Sequence, residues 1–154
     1  MQVLQVDSKK PQEDIIEKAA KVLHLGGLVV YPTETLYGLG ANVMDISAIQ
    51  RIFEVKGRLQ DKPISIAFRD VEHAEKYAHF SKLAHRIAEL FLPGPLTIIL
   101  PVKVPLGDMF GGDKIAIRIS SNKVVQAILG KVKFPITATS ANISGKADPV
   151  CAED

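Results

Sequence analysis

The chain has 154 residues, of which 47% are hydrophobic and 23% charged, and its formal net charge is +2. This length suits one domain, and the composition is typical of a globular protein with a real core rather than a disordered or fibrous one. The small positive charge is compatible with an anionic ligand, but most proteins that bind nucleic acid non-specifically are much more basic.

Three further classes are disfavoured by the composition. No apolar run approaches the roughly 20 residues that a membrane-spanning helix needs. The N-terminal stretch becomes polar within a few residues, unlike a signal peptide. The single cysteine, Cys151, provides neither a disulfide framework nor a thiolate metal site. We therefore expect a cytoplasmic protein with no membrane segment.

Strands and helices are predicted to alternate along the chain. Apolar periodicity and capping residues in the first half predict a strand over 3–6, a helix from Pro11 to Gly26, a strand over 28–31 and a helix between Asp45 and Gly57. The second half predicts a strand over 64–68, helices capped by Asp70 (71–78) and Ser81 (82–92), strands over 96–102 and 115–119, a helix from Ser121 to Leu129 and a strand over 135–138. This order predicts a single α/β domain.

Polar residues follow several of these elements, and ligands of open α/β sheets usually bind beyond the carboxyl ends of strands. In the first such stretch, 31–40, the hydroxyls of Thr33 and Thr35 could hold a polar ligand. They could equally satisfy the backbone of a capped turn. The glycines here match neither a Walker loop nor a dinucleotide fingerprint.

The second stretch places three cations, Lys56, Arg58 and Lys62, just after a predicted helix. Cations at this position complement the helix dipole, and runs of charge are usually solvated. The alternative is a clamp for phosphate or carboxylate groups. The residues alone favour the first interpretation.

Arg118 is a stronger signal, because period-2 alternation puts it on one strand face with Ala116 while the neighbouring isoleucines occupy the other. An arginine on an inner strand is costly unless an anion meets it. That anion is a ligand, which we favour, or an acidic side chain from a neighbouring element; otherwise the strand lies at a sheet edge and this face is solvated.

The third stretch, 137–145, combines Thr137 and Thr139 with Ser140, Asn142 and Ser144. Its hydroxyls and amide could bind phosphate oxygens or a nucleobase, or could form a turn or a helix N-cap. The four histidines all fall in predicted helices, and Glu34 stands alone among the polar loops. A site of hydroxyls and cations suits nucleotidyl transfer by positioning and charge neutralisation, or simple binding.

Taken together, these stretches resemble the YrdC-like family of threonylcarbamoyl-AMP synthases, and the resemblance extends over about residues 12–149. The motifs that carry it are Tyr31-Pro-Thr-Glu-Thr-Leu-Tyr-Gly-Leu-Gly40, Lys56-Gly-Arg58, Pro93-Gly-Pro-Leu-Thr97, Ala116-Ile-Arg118 and Ser140-Ala-Asn-Ile-Ser-Gly145.

The resemblance implies a twisted, mixed open sheet with flanking helices around a large basic concave cavity. It also implies that ATP, bicarbonate and L-threonine are joined into threonylcarbamoyl-AMP with release of pyrophosphate. Mg²⁺ would arrive with ATP, and no tightly bound cofactor is implied. The downstream partners would be enzymes that modify tRNA beside the anticodon, and a weak affinity for tRNA is compatible with the family.

Carried over by position, the motifs imply two sets of site residues. Lys56, Arg58, Lys62, Ser140 and Asn142 would bind the nucleotide, and Thr33, Thr35, Arg118 and Ala138 would bind L-threonine. No residue is assigned as catalytic; Lys56 and Arg58 would act by position and charge, and no side chain is assigned to a metal.

The sequence departs from the family pattern in three places. Leu59 replaces a common proline, and Ala67 replaces a histidine that some relatives place near threonine. The resemblance also leads us to expect that the single domain, 1–154, lacks the elements that in the family normally follow the last motif and help to close the pocket. The alternative function is therefore non-catalytic binding of tRNA or double-stranded RNA. A carbamoyl-transfer role in hydrogenase maturation would require companion domains.

Overall fold

Five α-helices and seven short strands alternate in the computed structural model, which describes residues 2–57 and 63–151. The helices are α1 (Glu13–His24), α2 (Ile46–Lys56), α3 (Val71–Ala74), α4 (Lys82–Phe91) and α5 (Lys123–Val132). The strands are β1 (Val29–Pro32), β2 (Tyr37–Gly40), β3 (Ile66–Ala67), β4 (Thr97–Pro101), β5 (Lys114–Arg118), β6 (Ile136–Thr137) and β7 (Thr139–Ser140). The predicted α/β class is confirmed. Within the described ranges, no helix is long and apolar enough to cross a bilayer.

The strands form two sheets rather than the single sheet that was expected. One is antiparallel with the order β1-β2-β7, and the other has the order β4-β5-β3-β6. The second sheet is mixed, as predicted, because β3 runs parallel to β5 while β4–β5 and β3–β6 are antiparallel pairs. The chain passes from one sheet to the other between β6 and β7.

The two sheets are joined at Thr137, which is fully buried. Its backbone N–H donates to the carbonyl of Ala41 (3.0 Å), its hydroxyl donates to the carbonyl of Leu39 (2.8 Å), and the same hydroxyl accepts from the N–H of Ala41 (2.9 Å). The next residue, Ala138, donates its N–H to the carbonyl of Ser65 (2.7 Å). The hydrogen bonds of Thr137 therefore connect the two sheets, in place of the backbone pairing that would connect strands within one continuous sheet.

Tyr31 explains the glycines of β2. Its register partner is Gly38, and a Cβ atom added at Gly38 or Gly40 would lie 3.0 Å or 2.8 Å from its ring. Its hydroxyl donates to the carbonyl of Thr137 (2.7 Å), and burial raises the pKa of the phenol, so it remains a neutral donor. The glycines allow the ring to lie directly on the β2 backbone.

The apolar core has two parts. One packs α2 against the mixed sheet through Ile49, Ile52 and Phe53, with Ile66 and Ile117 among their neighbours. The other packs α1 and α5 together with Tyr31 and Ile136, through apolar residues at helical spacing that include Ile16, Leu23, Val125 and Ile128. The junction between the sheets thus lies beside both helix layers.

Several predicted local features are confirmed. Side chains of Asp45, Asp70 and Ser81 accept from the backbone N–H groups of Ala48, His73 and Ala84 and so cap α2, α3 and α4. Gly57 ends α2 with a φ of 56°, in the left-handed region that glycine tolerates.

Other local predictions are wrong. Residues 3–6 form no strand; Val6 instead packs against the core of α1 and α5. Asn122, not Ser121, caps α5 by accepting from the N–H of Val124 (2.9 Å). The helix predicted over 71–78 ends at Ala74, and Ala78 forms a β-bridge with Val102; His79 lies outside the helices, contrary to the expectation that all four histidines are helical.

The Tyr31–glycine contact gives a stability prediction. We expect Gly40→Ala to destabilise the fold by about 1–3 kcal/mol, because a methyl group there overpacks a ring that is held by its own hydrogen bond. The control is Gly130→Ala, on the exposed side of α5, where no heavy atom of the described residues lies within 4 Å of the added Cβ. Replacing that helical glycine should raise stability by up to about 1 kcal/mol. Urea unfolding measures both changes, and an equal response of the two variants would contradict the packing argument.

Candidate active site

A cavity of about 240 Å³ opens where the two sheets meet. It is lined by residues from the β1–β2 hairpin, β3, β5 and the segment after it, α5, and the stretch from the end of β6 through β7 to the loop after it: Tyr31, Thr33, Thr35, Leu36, Tyr37, Gly38, Ala67, Arg118, Ser120, Val125, Ala138, Thr139, Ser140 and Asp148. The cavity is small compared with sites for drug-sized molecules, and its lining combines apolar side chains with a few polar groups, as ligand sites usually do.

The loop of the hairpin, 33–36, is a capped turn that is also a cavity wall. The Thr33 hydroxyl donates to the carbonyl of Leu36 (2.7 Å) and accepts from the N–H groups of Thr35 and Leu36 (3.2 and 3.1 Å). The Thr35 hydroxyl contacts only that of Thr33, at 3.3 Å, among the groups described, and Thr35 is exposed. This stretch is therefore both a capped turn and a wall of the cavity. The hydroxyl of Thr35 is more accessible to a ligand than that of Thr33, which is occupied by the turn.

Arg118 lies at the end of β5, between β4 and β3, with its side chain 25% exposed. The predicted alternation is confirmed, since Ile115 and Ile117 are buried on the opposite face. A guanidinium nitrogen of Arg118 lies 3.8 Å from Oε1 of Glu34. An acidic partner from a neighbouring element is therefore present, and the same guanidinium also lines the cavity.

Glu34 ties the hairpin loop to the segment after β5. Its Oε2 accepts from the hydroxyl of Ser120, and the side-chain amide of Asn122 donates to the carbonyl of Thr33 (3.3 Å). Its Oε1 is buried and has no hydrogen-bond donor among the residues that the structure describes. Glu34 looked isolated in the sequence because Arg118 and Ser120 are far from it along the chain and meet it only in the folded structure.

Lys56, at the end of α2, is only 2% exposed, and its ammonium group faces the third polar stretch. The ammonium donates to the backbone carbonyls of Ser140 and Asn142 and to Oδ1 of Asn142, the last two at 2.8 and 3.1 Å. The carbonyl of Lys56 accepts from the N–H of Ser144 (2.8 Å). Lys56 thus anchors the loop that follows β7, which sequence reasoning did not anticipate.

Asn142 holds the interior of the same loop. The hydroxyl of Ser140 donates to its Oδ1 (2.7 Å), and its Nδ2 donates to the carbonyls of Lys146 (2.9 Å) and Ala147 (3.2 Å). Beyond them, the carbonyl of Pro149 accepts from the N–H of Tyr37 (3.0 Å). These bonds fold residues 140–149 back against β2 and bring Asp148 to the cavity.

The structure brings together most of the predicted site residues. Thr33, Thr35, Arg118, Ala138 and Ser140 line the cavity, while Lys56 and Asn142 lie behind its wall. Arg58 and Lys62 lie outside the described residues. Sequence reasoning missed Ser120, Tyr37 and Asp148; of these, Ser120 follows the carboxyl end of β5 and could have been found by the rule that located the other polar stretches. The roles of the individual residues remain predictions.

The described part of the chain contains no group of three or more His, Cys, Asp or Glu side chains placed to hold a metal ion. Asp148 is the one carboxylate among the described lining residues. A metal brought by a ligand could meet one protein oxygen there.

Comparison with known proteins identifies the family. The family model Sua5_yciO_yrdC, described as telomere recombination, matches residues 21–154. The chain belongs to the Sua5/YciO/YrdC family. The predicted resemblance is therefore confirmed.

Relatives within this family differ in length from the chain. A curated protein of Methanocaldococcus jannaschii, provisionally named a threonylcarbamoyl-AMP synthase, is 37% identical over 147 residues, which are 96% of this chain and 70% of that protein. The threonylcarbamoyl-AMP synthase of Pyrococcus abyssi is 42% identical over 140 residues, or 89% of this chain and 41% of that one. The crystal structure of P. abyssi Sua5 complexed with L-threonine matches with a TM-score of 0.90 at 39% identity, covering 94% of this chain and 43% of that chain.

The anchoring of the last loop gives a second prediction. Replacing Lys56 by methionine should cost about 1–3 kcal/mol, because the partly buried carbonyls of Ser140 and Asn142 lose a charged donor. We expect amide hydrogen exchange across residues 140–147 to accelerate more than exchange in α1. The matched control is Lys146→Met, which removes an exposed ammonium from the same loop. If the two variants exchange at the same rate, Lys56 does not anchor the loop.

Proposed function

We propose that this chain is an L-threonylcarbamoyladenylate synthase, which makes threonylcarbamoyl-AMP and pyrophosphate from L-threonine, bicarbonate and ATP. The observation that carries the proposal is a cavity that Arg118, Thr35 and Ser140 line together. Support comes from the matching P. abyssi structure, whose described ligand is L-threonine, and from the names of the curated relatives.

The threonine half of the site lies at the hairpin and β5. Arg118 offers a planar, permanently charged fork that suits a carboxylate, and the hydroxyl of Thr35 offers a donor and an acceptor for the polar groups of the substrate. Ala67 and Ala138 line the same cavity with small side chains, which leaves space beside the guanidinium.

The nucleotide half lies at β7 and the loop after it. Ser140 lines the cavity, and the donors of Lys56 and Asn142 fix the loop's backbone. In this proposal, Lys56 supports the nucleotide site from behind and contributes its charge, while Arg58 and Lys62 are assigned to the phosphates by the family motif. A loop fixed before the nucleotide arrives reduces the entropy lost on binding.

The proposed reaction has two bond-forming steps. The ammonium group of threonine first releases a proton to solvent; the resulting amine attacks the carbon of bicarbonate, and loss of water gives the carbamate. An oxygen of the carbamate then attacks the α-phosphorus of ATP in line, the bond to the bridging oxygen breaks, and pyrophosphate leaves. The protein holds the reactants in position, and its cations stabilise the negative charge that develops around the five-coordinate phosphorus. Positioning and charge stabilisation are the main forms of catalysis known for phosphoryl and nucleotidyl transfer.

Mg²⁺ fits this arrangement as an ion carried by the nucleotide. It would neutralise charge on the triphosphate and on the departing pyrophosphate. Asp148 is the described lining residue that could offer it an oxygen, and all other ligands would come from phosphates and water.

The product is a reactive mixed anhydride, so we also propose that a downstream enzyme in the cytoplasm transfers the threonylcarbamoyl group to tRNA. Non-catalytic RNA binding is the competing function. Its signature would be an affinity for tRNA that falls steeply with salt, in the absence of any threonine-dependent turnover.

Threonine-dependent pyrophosphate release tests the proposal directly. With ATP, Mg²⁺ and bicarbonate present, we expect L-threonine to stimulate release at least about tenfold, because the carbamate is the nucleophile. A coupled phosphate assay measures the rate, and omission of bicarbonate is the control. A rate that is the same without threonine would contradict the assignment as an active synthase.

Arg118 tests the division of the cavity. We expect Arg118→Ala to weaken L-threonine binding by about 10- to 100-fold, because a charged hydrogen bond to the carboxylate is lost, and to weaken ATP binding by less than about threefold. Arg118→Lys, which keeps the charge without the fork, should lose part of the affinity. Arg86→Ala on the exposed side of α4 is the control, and calorimetry measures all affinities. Equal losses for the two ligands in Arg118→Ala would contradict the proposed division.

A further inference from the structure

Glu34 is the charged residue beside the cavity to which neither the family motif nor the proposed reaction assigns a role. Its carboxylate lies beside the guanidinium of Arg118, with a separation of 3.8 Å between Oε1 and Nη2, and its side chain is 15% exposed. The hydroxyl of Ser120, itself a lining residue, holds the other oxygen in place. Glu34 is therefore fixed at a short distance from the surface that a ligand would touch.

The contact between Glu34 and Arg118 is incomplete. At 3.8 Å it is an ion pair but not a hydrogen bond, and the described residues offer Oε1 no donor. A buried carboxylate oxygen left in this way is unfavourable, and such groups in folded proteins call for an explanation. Because Oε1 itself is buried, a cationic group of a ligand in the cavity would act on this negative charge through space rather than by a direct hydrogen bond.

The pair changes what Arg118 can attract. A bare carboxylate that approaches Arg118 gains from the guanidinium but is repelled by Glu34 a few ångströms further away. An α-amino acid brings a carboxylate for Arg118 and, one carbon away, an ammonium group that interacts favourably with Glu34. At separations of this size in a partly desolvated site, each of these interactions changes affinity by about tenfold or more.

We propose that Glu34 is a specificity-determining residue which, together with Arg118, makes the cavity select α-amino acids over carboxylic acids that lack an α-ammonium group. The inference rests on the proposed function, since it assumes that the amino-acid substrate binds at Arg118. It goes beyond that function by assigning the recognition of the ammonium group to a residue of the hairpin loop.

The other acid at the cavity is Asp148, and the geometry separates it from this role. Its Oδ1 lies 3.3 Å from Nδ2 of Asn142, on the side of the loop that follows β7. Glu34 instead lies with Arg118 and Ser120. The two carboxylates can therefore be tested against each other.

The experiment compares two ligands on the whole chain by calorimetry. One is L-threonine, and the other is 2,3-dihydroxybutyrate of the same configuration, which keeps the carboxylate and the β-hydroxyl but carries a hydroxyl in place of the ammonium. The measured quantity is the ratio of the two affinities. A variant that is partly unfolded loses active protein equally for both ligands, so the ratio still reports selectivity.

We expect the wild-type chain to prefer L-threonine, and Glu34→Gln to reduce this preference about tenfold or more, with weaker binding of threonine and stronger binding of the hydroxy acid. Glu34→Asp, which keeps the charge, should restore most of the preference. Asp148→Asn and Glu72→Gln, the latter on the exposed side of α3, should leave the ratio unchanged.

Three results would overturn the inference. The first is a preference that Glu34→Gln leaves unchanged, including the case in which both affinities fall alike because Glu34 only holds the loop. The second is a preference that Asp148→Asn abolishes instead. In these two cases the proposed function stands, because threonine still binds. The third is a wild-type chain that binds neither ligand, which overturns the proposed function as well.

Discussion

The hydrogen bonds of Thr137 are the constraint on which the arrangement of this protein depends. The buried hydroxyl of this threonine bonds to Leu39 of β2 and to Ala41 just after that strand, and its backbone N–H donates to the carbonyl of Ala41. The Tyr31 phenol donates to the carbonyl of the same threonine. Each of these groups would cost free energy if it were buried without a partner, so the two sheets can pack only where all of them are satisfied. That position sends the next strand, β7, along the hairpin and brings Ser140 to the cavity that Arg118 lines.

Most of the local structure could be predicted because its causes are local. Each capping side chain that was predicted correctly accepts a hydrogen bond from an N–H group three residues further along the chain, and the alternation of isoleucines on β5 follows from strand geometry. The division into two sheets could not be predicted, because β3, β6 and β7 contain only two residues each and carry no periodic signal. Their pairing is decided by tertiary contacts such as those of Thr137.

The candidate site shows the same distinction. Its positions were predictable, since polar residues that follow strands converge at one edge of the fold. The partners of its charged groups could not be predicted, because the sequence alone does not show which backbone carbonyls a lysine side chain contacts in the folded protein. In the sequence, Lys56 is one of three similar cations, but in the structure it is buried against Ser140 and Asn142. Glu34 is isolated in the sequence, but in the structure it is the acidic neighbour of Arg118.

These two charges illustrate why a candidate site can contain charged groups that do not line its cavity. Desolvation makes a buried ammonium or carboxylate costly, and such a group is tolerated only where donors or acceptors surround it. The ammonium of Lys56 meets three loop oxygens, so its burial is compensated in the structure described here. Glu34 has one oxygen satisfied and the other not. A positive charge nearby lowers the energy of this uncompensated group and a negative charge raises it, and this difference is the basis of the proposal that Glu34 selects for the ammonium of an amino acid.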